Sequence, residues 1–269
     1  MSRRYALSLC VLSLTLGNAS AIECPRGKPI HIHHNANRNI AVYRFDDGGP
    51  AFYESKMSID ADGAPDAYHP KNSPKSGWGR DYLANAGFGR NCNVIVCKTE
   101  KHPEKGYFKT EEGPYAGYYV SASSLKDSSV EDRGDYRRYV DAARVPYIAI
   151  PGSAAKKMGA QTGDLAYVVN MNNGERSPAI FADIGTEKTL GEGSIGLAEA
   201  LKFKNATAYE GGVSANVLFV VFPDTRSDPA WPRKIEDIEE KAEAAFEAWG
   251  GVGRVRACYP RAAKMDGEQ

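Results

Sequence analysis

The sequence predicts a mainly β domain, a barrel or sandwich of short strands with short helices and one C-terminal amphipathic helix. Three observations carry this. Short apolar runs recur at 147–150, 165–170, 179–182 and 217–222, separated by turn signals rather than by the long helical stretches of alternating β/α units. Asn170-Met-Asn-Asn-Gly174 has the Asn-Gly signature of a hairpin turn. The long helical periodicity is at 232–249, where Ile235, Ile238, Ala242, Ala245, Phe246 and Trp249 form one stripe opposite Glu and Lys, with Gly250-Gly251 as a stop.

Arg3 and Arg4, an apolar run at 5–16 and Ala19-Ser20-Ala21 make residues 1–21 a secretory signal peptide, so a mature chain starting at Ile22 is expected. The run is too short to span a bilayer, and no later segment approaches the roughly 20 apolar residues required. Glu23 stands before Cys24 where a lipoprotein signal needs a small residue. A soluble protein, secreted or periplasmic, is expected. Without Cys10, four cysteines remain: Cys24, Cys92, Cys97 and Cys258. Two disulfides are expected, with three connectivities open. Pairing Cys24 with Cys258, near the two ends, and Cys92 with Cys97 is the first expectation. C-x4-C without a second close pair is not a zinc spacing, and no metal is expected.

The chain has 34 basic and 34 acidic residues; losing Arg3 and Arg4 leaves a formal charge of minus two, which argues against a nucleic-acid partner. The 248 residues from 22 to 269 suffice for one large core and contain no linker, repeat or low-complexity tract. They are read as a single domain and a monomer, with an N-terminal extension at 22–50.

Residues 30–34 and 40–45 read as strands around an Asn-rich turn. His31, His33 and His34 fall here; with no evident carboxylate or cysteine partner they are read as ordinary surface or core histidines rather than metal ligands. A strand at 52–59 runs into Asp60-Ala-Asp62-Gly63-Ala-Pro65-Asp66-Ala-Tyr68. D-x-D-G resembles the opening of a calcium loop, but the downstream glutamate is missing. A structural turn and the acidic wall of a cleft explain it equally well. Residues 81–89 suggest a short helix closed by glycine, and 117–121 a strand with Tyr118 and Tyr119 on opposite faces. The fifteen tyrosines suit sugar stacking, and equally a β-rich core. Residues 126–138 read as a solvated loop.

The segment with most chemical promise is 178–200. An apolar strand at 179–182 leads to Asp183, a glycine-punctuated loop carries Glu192 between Gly191 and Gly193, and a helix begins near Ser194. Glycosidic bond cleavage needs one carboxyl to protonate the leaving oxygen and another to activate water or attack the sugar. In isolation, a strand-end aspartate and a solvated loop glutamate would look the same.

More of the chain bears on that choice. Ser58-Ile-Asp60-Ala-Asp62-Gly-Ala-Pro, Ala67-Tyr68-His69-Pro70, Asp81-Tyr-Leu-Ala-Asn-Ala-Gly87, Gly117-Tyr-Tyr-Val-Ser121, Val145-Pro-Tyr-Ile148, Gly163-Asp164-Leu-Ala166, Ala182-Asp183-Ile-Gly185 and Gly191-Glu192-Gly-Ser194, in this order, resemble the fungal-type chitosanases of glycoside hydrolase family 75. The resemblance implies endo-hydrolysis of β-1,4-linked glucosamine polymers with inversion and without a metal cofactor. It makes Asp183 and Glu192 the essential acids and chitosan the partner. Two features depart from it: the extension before Ser58, and Thr186 where proline is expected. A looser similarity links 163–201 to double-psi β-barrels, which include expansins, family 45 glucanases and some lytic transglycosylases. A six-stranded double-psi-like core is therefore expected.

Burial after four apolar residues favours a protonated Asp183 as general acid, with a loop Glu192 open to water as the ionised base, and the reverse assignment stays open beside it. A cationic polymer needs carboxylates, for which Asp60, Asp62, Asp66 and Asp164 are candidates. Its rings need aromatic faces, for which Tyr68, Trp78, Tyr118 and Tyr119 are candidates. Two rival readings stand beside this one. A peptidoglycan-directed hydrolase or lytic transglycosylase on the same barrel would need one catalytic aspartate, and a polysaccharide-binding protein would keep the groove without turnover.

Overall fold

The computed structural model describes Cys24 and residues 27–36, 38–45 and 49–260; the expected signal peptide lies outside them. A closed six-stranded β-barrel forms the core, as expected. Its strands are β3 (Ala51–Asp60), β4 (Tyr147–Ala149), β5 (Leu165–Asn170), β6 (Arg176–Asp183), β7 (Glu192–Ser194) and β8 (Gly212–Phe222), in the order β3-β7-β4-β6-β5-β8. β8 closes the barrel by pairing antiparallel with both β5 and β3. β3–β7 and β4–β6 are parallel. A hairpin, β1 (His31–Asn35) and β2 (Arg38–Arg44), continues the sheet from the first half of β3.

Alternation along β3 sets the two faces. Tyr53, Ser55, Met57 and Ile59 point into the core, while Glu54, Lys56, Ser58 and Asp60 are only partly covered. β5 is buried at all six positions. It is covered by the amphipathic helix α3 (Ile235–Trp249), whose buried residues are Ile238, Ala242, Phe246 and Trp249; the shorter helices are α1 (Gly152–Met158), α2 (Ile195–Ala200) and α4 (Gly251–Cys258). Phe246 stacks on Tyr167 of β5 at 3.9 Å between ring centroids, and the Tyr167 hydroxyl donates to Glu243 at 2.6 Å. Phe246→Ala is expected to cost about 3–5 kcal/mol in denaturant unfolding, because it removes a large, fully buried ring and leaves a cavity. A cost below about 1 kcal/mol would mean the helix is not a fixed part of the core.

The first-choice disulfides are present: Cys24–Cys258 ties the extension to the end of α4, and Cys92–Cys97 closes a short loop. Among the described residues no helix is long and apolar enough to cross a membrane.

The chain between β3 and β4, residues 61–146, covers one side of the barrel without forming strands of its own. Two short 3-10 turns, isolated bridges such as Tyr68 with Tyr119 and Ile95 with Ser121, and the Cys92–Cys97 bond hold it. The expected helix at 81–89 is a series of turns, and the expected strand at 117–121 contributes only isolated bridges. In the first stretch the backbone closes local turns, such as Asn85 N–H to the Tyr82 carbonyl and Phe88 N–H to the Leu83 carbonyl, and in the second it bonds to neighbouring loops, such as Tyr119 N–H to the Tyr68 carbonyl. Helix 232–249 begins later, at Ile235, and after Gly250 the chain resumes as α4.

Candidate active site

The 61–146 segment and the barrel enclose a cleft of about 1070 Å³. Asp183 and Glu192 both line it. Their placement follows from register. Ala149 of β4 pairs with Asp183 on one side and with Glu192 on the other, so the two acids flank one strand at its end. Two strand spacings put their Cα atoms roughly 9–10 Å apart. Gly185 leaves the space between them open, since a Cβ there would lie 2.8 Å from Glu192 Oε2.

Asp183 ends β6 and is nearly buried. Its Oδ1 accepts from the Ser124 amide at 2.7 Å and the Ser124 hydroxyl at 2.6 Å. Burial pushes its pKa up to about 6 even though those bonds favour the ionised form. Glu192 is raised further, to about 7, by burial and then by the charge of Asp183, with Lys56 opposing. This corrects the expected surroundings of Glu192. Glu192 does not hang on a solvated loop; it opens β7, paired with Ser58 and Ala149. Its glycine neighbours serve packing. Gly191 has φ +108°, and a Cβ there would lie 2.1 Å from Ser55 Oγ and 2.4 Å from the Lys56 carbonyl oxygen.

Asp60 and Asp62 also line the cleft. Both sequence readings of this stretch hold, because the Asp62 amide donates to Asp60 Oδ1 at 2.8 Å, a turn within a cleft wall. Burial and neighbouring carboxylates hold both acids well above the usual range, Asp60 facing Asp183 and Glu192, and Asp62 facing Asp60 and Asp183. One oxygen from each of Asp60, Asp62 and Asp183 lies within 4.8 Å of the others, which makes this triad the group compact enough to hold a cation among the described residues. Protonation relieves the same crowding.

Tyr68 reaches the cleft through its hydroxyl, which donates to Asp62 Oδ1 at 2.7 Å and lies 3.3 Å from Asp81 Oδ2; its ring is buried and cannot stack on a sugar. Four other expectations are corrected. Asp164 is fully buried and accepts from the amides of Thr225, Arg226 and Gln161 at 2.8–3.0 Å, so it ties turns together away from the cleft. Asp66 is paired with Arg80 at 2.6 Å and does not line the cleft. Tyr118 packs outside it against His69 and Trp78, while Tyr119 is buried beside Phe88 and Tyr107.

Sequence reasoning missed Ser124, Asp81, Asn85 and Lys56, all in the cleft wall. It also missed Asn35. From the hairpin, Asn35 Nδ2 donates to the Leu190 carbonyl at 3.0 Å and its Oδ1 accepts from the Leu190 amide at 2.8 Å. His33, on the same strand, has a buried Nε2 with no hydrogen-bond partner. The extension therefore holds the loop between the two acids. Asn35→Ala is expected to lower turnover by roughly tenfold with little change in KM, because two neutral hydrogen bonds of about 1 kcal/mol each are lost from that loop. An unchanged kcat would remove Asn35 from the account.

The sequence matches no known family model and no curated protein.

Proposed function

We propose that this protein is an exported glycoside hydrolase that cleaves β-1,4 glucosamine linkages of chitosan with inversion, using Glu192 as general acid and Asp183 as general base. The observation that carries the reading is that both acids flank Ala149 in one cleft, where burial raises both carboxyls, Glu192 to about 7 and Asp183 to about 6. Glu192 keeps its proton to higher pH and gives it to the leaving glycosidic oxygen. Asp183, its charge favoured by Ser124, takes a proton from water as that water attacks the anomeric carbon from the opposite face. Cα atoms roughly 9–10 Å apart across β4 are compatible with the roughly 6.5–9.5 Å carboxyl separation that leaves room for this water. Asp60, Asp62 and Asp81 line the cleft with carboxyl groups that the ammonium groups of a cationic polymer would hold in the ionised form, which suits such a substrate. The resemblance to family 75 chitosanases supports the same two acids, and two disulfides suit an exported protein.

The reaction needs Asp183 ionised and Glu192 protonated. Activity is expected to rise as pH climbs through about 6 and to fall through about 7, with both limbs belonging to the coupled pair. Ser124→Ala removes a bond that favours ionised Asp183 and is expected to move the acid limb of the kcat/KM profile to higher pH. An unmoved limb would take the base role from Asp183. The substrate is tested by following reducing ends released from soluble chitosan, chitin and peptidoglycan. Release from chitosan is expected. Release from peptidoglycan alone would favour the rival reading.

A further inference from the structure

We propose that Tyr82, Tyr209, Trp78 and Tyr118, backed by the buried His69, form a second polysaccharide-binding surface, which takes uncharged, N-acetylated stretches of a β-linked amino-sugar chain as it leaves the cleft. The proposal rests on the reading of the cleft as an amino-sugar site. Trp78 and Tyr82 are 40% and 38% exposed, the large aromatic side chains most open to solvent among the described residues, and both lie on this strip.

The rings are in mutual contact. Tyr82 meets Tyr209 edge-on at 4.9 Å, the Tyr209 hydroxyl donates to the Trp78 carbonyl at 3.0 Å, Trp78 stacks on His69 at 4.3 Å, and His69 meets Tyr118 at 4.9 Å. Such contacts hold the rings in place before a ligand arrives, which lowers the ordering cost of binding. The strip is continuous with the cleft. Asp81 and Ala208 line the cleft, and the next residue in each case, Tyr82 and Tyr209, belongs to the strip.

Charge chooses the ligand. At the cleft end Asp81 faces Tyr209, whereas at the far end the charges acting on His69 are those of Lys71 and Lys109. Ammonium groups are favoured near the cleft and repelled along the outer strip, where acetylated units avoid that penalty and offer apolar ring faces to Trp78.

The test uses the full chain carrying Glu192→Gln, with pull-down by insoluble chitin, fully deacetylated chitosan and purified peptidoglycan. Binding to chitin or peptidoglycan is expected to weaken about tenfold with Trp78→Ala, roughly 1.4 kcal/mol, and to return with Trp78→Phe; the two arms identify the source of the acetylated sugar. Tyr82→Ala, at the other end of the strip, is expected to weaken it likewise, so misfolding of one variant does not decide the matter. Undiminished binding in both alanine variants, no binding by the parent, or equal loss on deacetylated chitosan overturns the proposal. Binding that behaves as expected in a wild-type protein that cleaves nothing would sink the hydrolase reading alone.

Discussion

Glu192→Gln is expected to lower kcat on chitosan by about 10²–10⁴-fold, the range of a lost general acid, with KM much less affected. Glutamine keeps the shape and burial of the side chain but cannot deliver a proton to the leaving oxygen. The defect should shrink on an aryl glycoside whose leaving group needs no protonation. Asp183→Asn is expected to cause a loss of similar size on both substrates, because the water is then unactivated whatever leaves. The opposite pattern, with the aryl substrate rescuing Asp183→Asn and not Glu192→Gln, would exchange the two roles. Full activity in Glu192→Gln would leave a single-aspartate enzyme of the rival class.

The same substitution is expected to stabilise the protein at alkaline pH. Glu192 has its folded pKa raised to about 7, so the folded state binds its proton more tightly than the unfolded chain does. Its contribution is fully present below the unfolded value and is lost as pH rises through about 7. At pH 8 the ionised, buried carboxylate then costs on the order of 1–3 kcal/mol. Glutamine removes that cost, so Glu192→Gln should unfold at higher denaturant concentration than wild type at pH 8, with the difference vanishing near pH 4. A variant no more stable at pH 8 would mean that water reaches the carboxylate freely. Stability given up at a working residue in this way is common where function needs a group in an unfavourable environment.

The barrel was legible where sequence and burial agree locally. β5 is apolar and ends in an Asn-Gly turn, and its boundaries match the run read from sequence, 165–170. β7 was not legible. Glu-Gly-Ser has no strand character of its own and becomes a strand only because β3 and β4 pair with it on either side. That explains the misreading of Glu192: glycines at 191 and 193 suggested an open loop, whereas packing against Ser55, Met57 and Leu197 requires them. Asp164 shows the converse. Like Asp183 it adjoins an apolar strand, but it stands at the strand's start, where turn amides consume its oxygens, while Asp183 stands at the end that faces the cleft. Asn35 and Ser124 act on residues 155 and 59 positions away, a relation no local pattern encodes.

The account is tested most directly by the anomeric form of the first products released from chitosan, followed by proton NMR before mutarotation. Two carboxyls flanking β4 with a water between them predict the α anomer from β-linked substrate. Initial release of the β anomer, or no release from chitosan at all, would contradict it.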